Sequence, residues 1–159
     1  LSYYVGLRAC EIASLKVGDI VDGEGNIKDT VLLTKEMTKG SIANSVYLSE
    51  FVKKEIKKYL ESNTERLVTL KSALIYSQRT GGHFSSQTLQ ILFKNLYANI
   101  GINASSHSGR RKFITDLSDK GVSVRVIQEL ARHRDLATTQ RYIDVSVDKL
   151  RNAVNLVTL

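Results

Sequence analysis

Helical spacing of apolar residues dominates this chain from Ser49 onward, and it constrains the fold more than any other feature. Val52, Ile56, Tyr59 and Leu60 line one side of a helix that Ser49 is suited to cap. Leu89, Leu92, Phe93, Leu96 and Ile100 do the same behind Ser85 or Ser86. A third helix is predicted from about Ser106, burying Phe113, Ile114 and Leu117. Gly121 separates it from a fourth, with Val126, Ile127, Leu130 and Ala131 inward. Two short helices, Thr138 to Tyr142 and Val147 to Val157, complete the series. The 159 residues contain no proline, and no Ser- or Gly-rich linker or internal repeat divides them, so one domain over 1–159 is expected.

The first part of the chain reads differently. A short helix around Arg8 to Leu15 precedes three β-like stretches: Asp19-Ile20-Val21, Thr30 to Thr34, and Asn44 to Leu48. A polar turn (Asp22-Gly23-Glu24-Gly25-Asn26) and the loop through Lys39-Gly40 punctuate them. The expected fold is therefore α+β, mainly α-helical, with a small three-stranded antiparallel sheet in the N-terminal half.

Charge and cysteine usage narrow the function. A formal net charge of +7 favours a polyanionic partner, nucleic acid first. Cys10 is the only cysteine, which excludes an internal disulfide and a cysteine-based zinc site. The three histidines are scattered, and no metal site is expected. Asp19, Asp22, Glu24 and Asn26 lack the spacing of a calcium loop and read as a solvated hairpin. The longest apolar runs, such as Val31-Leu32-Leu33, are too short to span a bilayer, and no secretory leader is visible. A cytoplasmic, DNA-associated protein fits best. The opening on Leu1 rather than Met suggests a fragment that lacks an N-terminal region.

Chemistry concentrates near the C-terminal end, in His107-Ser108-Gly109-Arg110, His133 and Tyr142. His107 and Arg110, at the start of a predicted helix, project from the same face. The partial positive charge of the helix N-terminus suits an anion there. Taken singly, each residue has a plain structural role: a capping histidine, a surface arginine, a half-buried tyrosine. Taken together with Arg8 and Lys39, they read as a clamp for a phosphodiester with a tyrosine aimed at it.

The order of these residues resembles the catalytic domain of the tyrosine recombinase (phage integrase) family. Val5-Gly6-Leu7-Arg8-Ala9-Cys10-Glu11-Ile12-Ala13-Ser14-Leu15 is similar to the family box that carries its first catalytic arginine. Thr38-Lys39-Gly40-Ser41, followed by Val46-Tyr47-Leu48, looks like the β-hairpin bearing the catalytic lysine. His107 to Arg110 matches the H-x-x-R box, and Ala131 to Tyr142 resembles the box that ends on the nucleophile. The likeness runs from Val5 to about Val154. Four positions depart from the pattern. Gly109 replaces a bulky apolar residue, which loosens the helix there. Arg132 replaces the glycine before the second histidine, straining that turn or adding a phosphate contact. Ala43 and Tyr47 replace a basic residue and a proline, which leaves Lys35 as an alternative to Lys39.

The resemblance implies a site-specific DNA recombinase that cleaves and rejoins strands through a 3′-phosphotyrosyl link, without metal or ATP. It implies Tyr142 as nucleophile, His107 as base, Arg8, Arg110 and His133 on the phosphate oxygens, and Lys39 as acid. A phenol that titrates near 10 is only about a thousandth ionised at neutral pH, so such a nucleophile needs a base or a cationic site. The partner would be double-stranded DNA, with Arg111, Lys112, Arg134 and Arg141 meeting phosphates. Lys53, Lys54, Lys57 and Lys58 read instead as a solvated helix face. Val147, Leu150, Val154 and Val157 form an apolar stripe on the tail 146–157. The family suggests self-association through such a tail in a tetrameric synapse on DNA, and docking onto its own domain stays open. An N-terminal core-binding domain would lie outside this chain. A type IB topoisomerase-like enzyme and a non-catalytic DNA-binding module of the same fold are the alternatives.

Overall fold

The computed structural model describes residues 1–38, 40, 42–67, 69–143 and 145–157. Leu1–Phe113 forms one compact unit and Ile114–Leu159 a second.

In the first unit a turn over 2–5 leads to α1 (Ala9–Ser14) and the single helical turn α2 (Val17–Ile20). Then come β1 (Thr30–Leu33), β2 (Asn44–Tyr47), α3 (Glu50–Glu61) and α4 (Ser86–Asn99). The strands pair antiparallel with Val31 opposite Val46 and Leu33 opposite Asn44. Val31, Leu33 and Val46 point into the core, and Leu32, Ser45 and Tyr47 point out, as the two-residue period of a strand requires. They meet Leu7, Leu15, Ile20, Val52, Ile56, Leu74 and Leu89 in one buried apolar cluster. α1 packs on α4.

The sheet has two strands among the described residues, not the expected three. Asp19-Ile20-Val21 does not become a strand because its donors are taken locally. Asp19 Oδ2 accepts the Lys16 backbone N–H at 2.7 Å. The Asp19 and Val21 N–H groups bond the carbonyls of Lys16 at 3.1 Å and Val17 at 2.8 Å. Only Val21 keeps a β-bridge, to Ile27 across the polar turn. That turn is the solvated hairpin expected: Asp22 Oδ1 accepts the backbone N–H groups of Asn26 and Glu24. The same donors, Asn26 first, hold the Asp22 carboxyl below its ordinary range.

The serine caps fall where the residue pattern places them. Ser49 Oγ accepts from Val52 N–H, and Ser85 Oγ from Thr88 N–H. Val52 and Ile56 face the core, and Lys53 is engaged by Asp29 at 2.6 Å and Glu50 at 2.5 Å. Those bonds, to Asp29 first, raise the Lys53 ammonium above its ordinary value. On α4 the pattern overreaches. Leu89 is buried and Leu92 and Phe93 pack against the core, but Leu96 and Ile100 are exposed beyond its edge.

The helix α5 (Ser108–Asp119) gives its first residues to the first unit and the rest to the second. The second unit continues with α6 (Val124–Ala131), α7 (Leu136–Gln140) and α8 (Val147–Asn155). α6 packs on α7, with Ile127, Gln128, Ala131 and Thr139 buried. Val126, expected inward, is 48% exposed, because the buried stripe of this short helix runs through Ile127 and Ala131. Lys149 of α8 pairs with Asp119 at 2.8 Å. No helix among the described residues is long and apolar enough to cross a membrane.

Candidate active site

Arg8 and Arg110 of the first unit are held by buried partners. Arg8 immediately precedes α1, and Glu11 in its first turn is wholly buried. Glu11 accepts the Arg8 backbone N–H at 2.7 Å and Arg8 Nη1 at 2.8 Å. A buried carboxylate is costly without a cation, so this pair fixes the arginine as well as the helix start. Arg110 lies in the first turn of α5 and is 6% exposed. Its Nη1 donates to the Gly6 carbonyl. Gly6 and Arg8 flank the buried Leu7, so both arginines anchor on one short stretch of chain.

His107 precedes α5 and is exposed. Ser105 and Ser108 shape the turn that presents it: Ser105 N–H donates to Ser108 Oγ at 3.0 Å, and His107 N–H to Ser105 Oγ at 3.3 Å. Lys39 lies outside the described residues, while its alternative Lys35 is exposed. Near Lys39, Thr38 Oγ1 donates to the Ile42 carbonyl at 2.8 Å.

In the second unit His133 and Tyr142 come together, with ring centroids 6.2 Å apart and planes 28° from parallel. Thr139 organises both. Its side-chain oxygen shares a 2.9 Å hydrogen bond with His133 Nδ1, and its carbonyl accepts the Tyr142 backbone N–H at 3.0 Å. Thr139 is wholly buried, so neither bond competes with bulk water. Gln128, also buried, donates from Nε2 to the His133 carbonyl at 3.1 Å. Asp135 caps α7 through Ala137 N–H, so Tyr142 is delivered by a defined helical turn. Tyr142 is half-buried.

Arg111, Lys112, Arg134 and Arg141 are all exposed. Among the described residues, no three His, Cys, Asp or Glu side chains gather into a group able to hold a metal ion. Residue patterns gave no separate role to Gly6, Glu11, Gln128 or Thr139. The first two lie in the box around Arg8, and Thr139 lies three residues before Tyr142, where a helical turn brings its carbonyl to the tyrosine.

The family model described as "Phage integrase family" matches residues 1–149. The chain belongs to the phage integrase family. The tyrosine recombinase XerA of Thermococcus kodakarensis is 32% identical over 153 residues, covering 96% of this chain and 51% of that protein. The crystal structure of XerA recombinase superposes with a TM-score of 0.73 at 25% identity, over 97% of this chain and 54% of that one. XerH site-specific recombinase in a post-cleavage complex with palindromic difH substrate gives a TM-score of 0.71 at 24% identity, over 96% of this chain and 42% of that one. This chain therefore spans about half the length of these relatives.

Two departures from the phage integrase pattern now have a structural account. Arg132 closes α6 in the left-handed region, with φ 54° and ψ 46°, where a glycine costs nothing and arginine is strained. Its Nη1 bonds the Leu130 carbonyl at 3.0 Å, which offsets part of that cost. Gly109 lies within α5, where the missing side chain leaves room for the 2–5 turn. It is buried, and a side chain there would meet Ser2 Oγ at 2.9 Å and the Tyr3 backbone nitrogen at 3.2 Å.

Proposed function

We propose that residues 1–159 act as the catalytic domain of a site-specific DNA recombinase that cleaves and rejoins DNA through Tyr142. The observation that carries this reading is the His133–Thr139–Tyr142 arrangement, at the end of a family box that terminates in a tyrosine. Tyr142 Oη attacks a DNA phosphorus, its proton passes to His107, and the bond from phosphorus to the 5′ oxygen breaks. Lys39 protonates the departing oxygen. Arg8, Arg110 and His133 stabilise the charge that grows on the non-bridging oxygens, where a guanidinium fork engages two oxygens at once. The phosphodiester energy stays in the 3′-phosphotyrosyl link, so a 5′ hydroxyl from a second duplex can attack it without metal or ATP.

Double-stranded DNA is the partner, met by Arg111, Lys112, Arg134 and Arg141 in a salt-dependent way. The XerH complex with its difH substrate supports that choice of partner. Copies assemble as a tetramer on DNA through the tail 146–157, and the protein works in the cytoplasm. Val147, Leu150 and Val154 on that tail are exposed, which suits a surface that docks elsewhere.

Covalent capture tests the reading. Wild type and Tyr142→Phe are incubated with supercoiled plasmid carrying the DNA that flanks the gene. The expected result is an SDS-resistant protein–DNA adduct and relaxed circles with wild type and neither with the variant. Salt-sensitive DNA binding without an adduct from the full-length wild type would make the protein a binding module instead.

A further inference from the structure

One position where this chain departs from the family pattern, Gly109, touches the part of the first unit that holds Arg110. Residues 2–5 make one turn, closed by a 3.1 Å bond from Val5 N–H to the Leu1 carbonyl, and that turn lies along the start of α5. Two contacts fix the approach. At one end Ser2 packs into the space a Gly109 side chain would take, with Ser2 Cβ 3.2 Å from the place of a Cβ, and Ser2 Oγ donates to the Ser106 carbonyl at 3.4 Å. At the other end Gly6, at φ +65°, lies under the Phe113 ring, whose carbons would be 2.6 and 2.8 Å from a Cβ. Gly109 and Phe113 are four apart on α5 and so share a face. The Gly6 carbonyl reaches Arg110 Nη1 at this crossing.

We propose that Gly109 is a positioning residue for Arg110: its missing side chain lets the 2–5 turn lie close enough to α5 for the Gly6 carbonyl to orient the guanidinium. The inference rests on the strand-cleavage reading only for its catalytic consequence, since the geometry concerns Arg110 alone. A glycine inside a helix is ordinarily unfavourable relative to alanine. Here the place is occupied at distances that real Cβ atoms hardly ever show, and the obstacle at 3.2 Å is backbone, which has little freedom to yield. A side chain at 109 must push the turn outward by a few tenths of an ångström, which disturbs the bond from Arg110 Nη1 to the Gly6 carbonyl.

The test compares wild type, Gly109→Ala and the double variant Ser2→Gly/Gly109→Ala in the full-length protein. Nitrogen NMR of arginine side chains reads the guanidinium directly, with the Arg110 signal assigned by its loss in Arg110→Lys. Wild type is expected to show a slowly rotating, exchange-protected Arg110 Nη group. Gly109→Ala loses that protection, and the double variant regains part of it, because Ser2→Gly removes the Oγ and Cβ contacts while the Tyr3 nitrogen stays at 3.2 Å. In single-turnover cleavage Gly109→Ala slows the reaction roughly tenfold at unchanged DNA affinity, since the shift is smaller than the 1 Å misplacement that costs about a hundredfold, and the double variant recovers part of the rate. An Arg110 signal in Gly109→Ala identical to wild type overturns the inference. So does a loss that Ser2→Gly leaves uncorrected. If wild type itself makes no adduct, the strand-cleavage reading fails while the NMR comparison still decides the role of Gly109.

Discussion

The two groups of candidate residues are held in different ways. In the first unit each arginine is fixed by a partner distant from solvent: Arg8 by the wholly buried Glu11, Arg110 by the carbonyl of the buried Gly6. In the second unit His133 and Tyr142 depend on short-range bonds within α6 and α7, gathered at Thr139. The first arrangement is built into a hydrophobic core, so disturbing it costs folding and chemistry together. The second is built on helix termini, so it can be disturbed with the fold largely intact. Charge that must await a transition state gains from rigid placement. In the proposed reaction, a nucleophile that must reach a phosphorus and later leave it is served by a local mounting.

The sharpest break of that contrast comes from Glu11→Ala. Removing the carboxylate breaks its pair with Arg8 and leaves a cavity beside the core. We expect a loss of about 3 kcal/mol in chemical denaturation and a roughly hundredfold slower cleavage. A variant that unfolds normally but cleaves slowly would make the two regions alike. Thr139→Val acts on the other side. It keeps the carbonyl that holds the Tyr142 N–H and removes the hydroxyl that orients His133. Stability should fall by about 1 kcal/mol, while cleavage slows roughly tenfold and Thr139→Ser restores it. Equal losses of stability in the Glu11 and Thr139 variants would erase the distinction between core mounting and local mounting.

How far the residues announced this arrangement differs along the chain. Ser49 and Ser85 were legible because an N-cap is a local event, decided by one hydroxyl and the N–H three residues on. Arg8, His107, Arg110, His133 and Tyr142 stand out in the sequence as an ordered set of candidates. Their supports do not. Glu11 looks like a surface residue of a short helix until the core closes over it, and no spacing rule reports that Gly6 and Gly109 face long-range obstacles. Asp19-Ile20-Val21 shows the opposite failure. Its residues suit a strand, but the Asp19 and Val21 N–H groups turn back to the carbonyls of Lys16 and Val17, while Val17 and Gly18 just before it are tied to Ser72 and Leu70 far along the chain. Periodicity on α4 ran past the core because amphipathic spacing records a face without saying where its cover ends.

Arg132→Gly probes the local mounting from within. Arginine in the left-handed region costs on the order of 1 kcal/mol relative to glycine, so the variant should melt a few degrees higher. The expected gain is smaller if the Nη1 bond to Leu130 offsets part of the strain. A lower melting temperature would mean that the arginine side chain contributes more than its backbone loses, and the second unit would then share the side-chain anchoring of the first.

The smallest effect on stability belongs to the tail, and its smallness is the point. α8 is joined to α5 through the Lys149–Asp119 pair, while Val147, Leu150 and Val154 stay exposed at 63%, 56% and 71%. An apolar stripe that covers nothing at home contributes almost nothing to folding. Leu150→Ser with Val154→Ser should therefore change denaturation by no more than about 0.5 kcal/mol. If the stripe serves assembly on DNA, the same pair of changes lowers self-association at fixed DNA occupancy, measured by sedimentation of protein–DNA complexes. Destabilisation without a change in assembly would place the stripe against its own domain. A change in assembly alone would mark the tail as the region whose packing is completed only by another copy, which neither group of candidate residues requires.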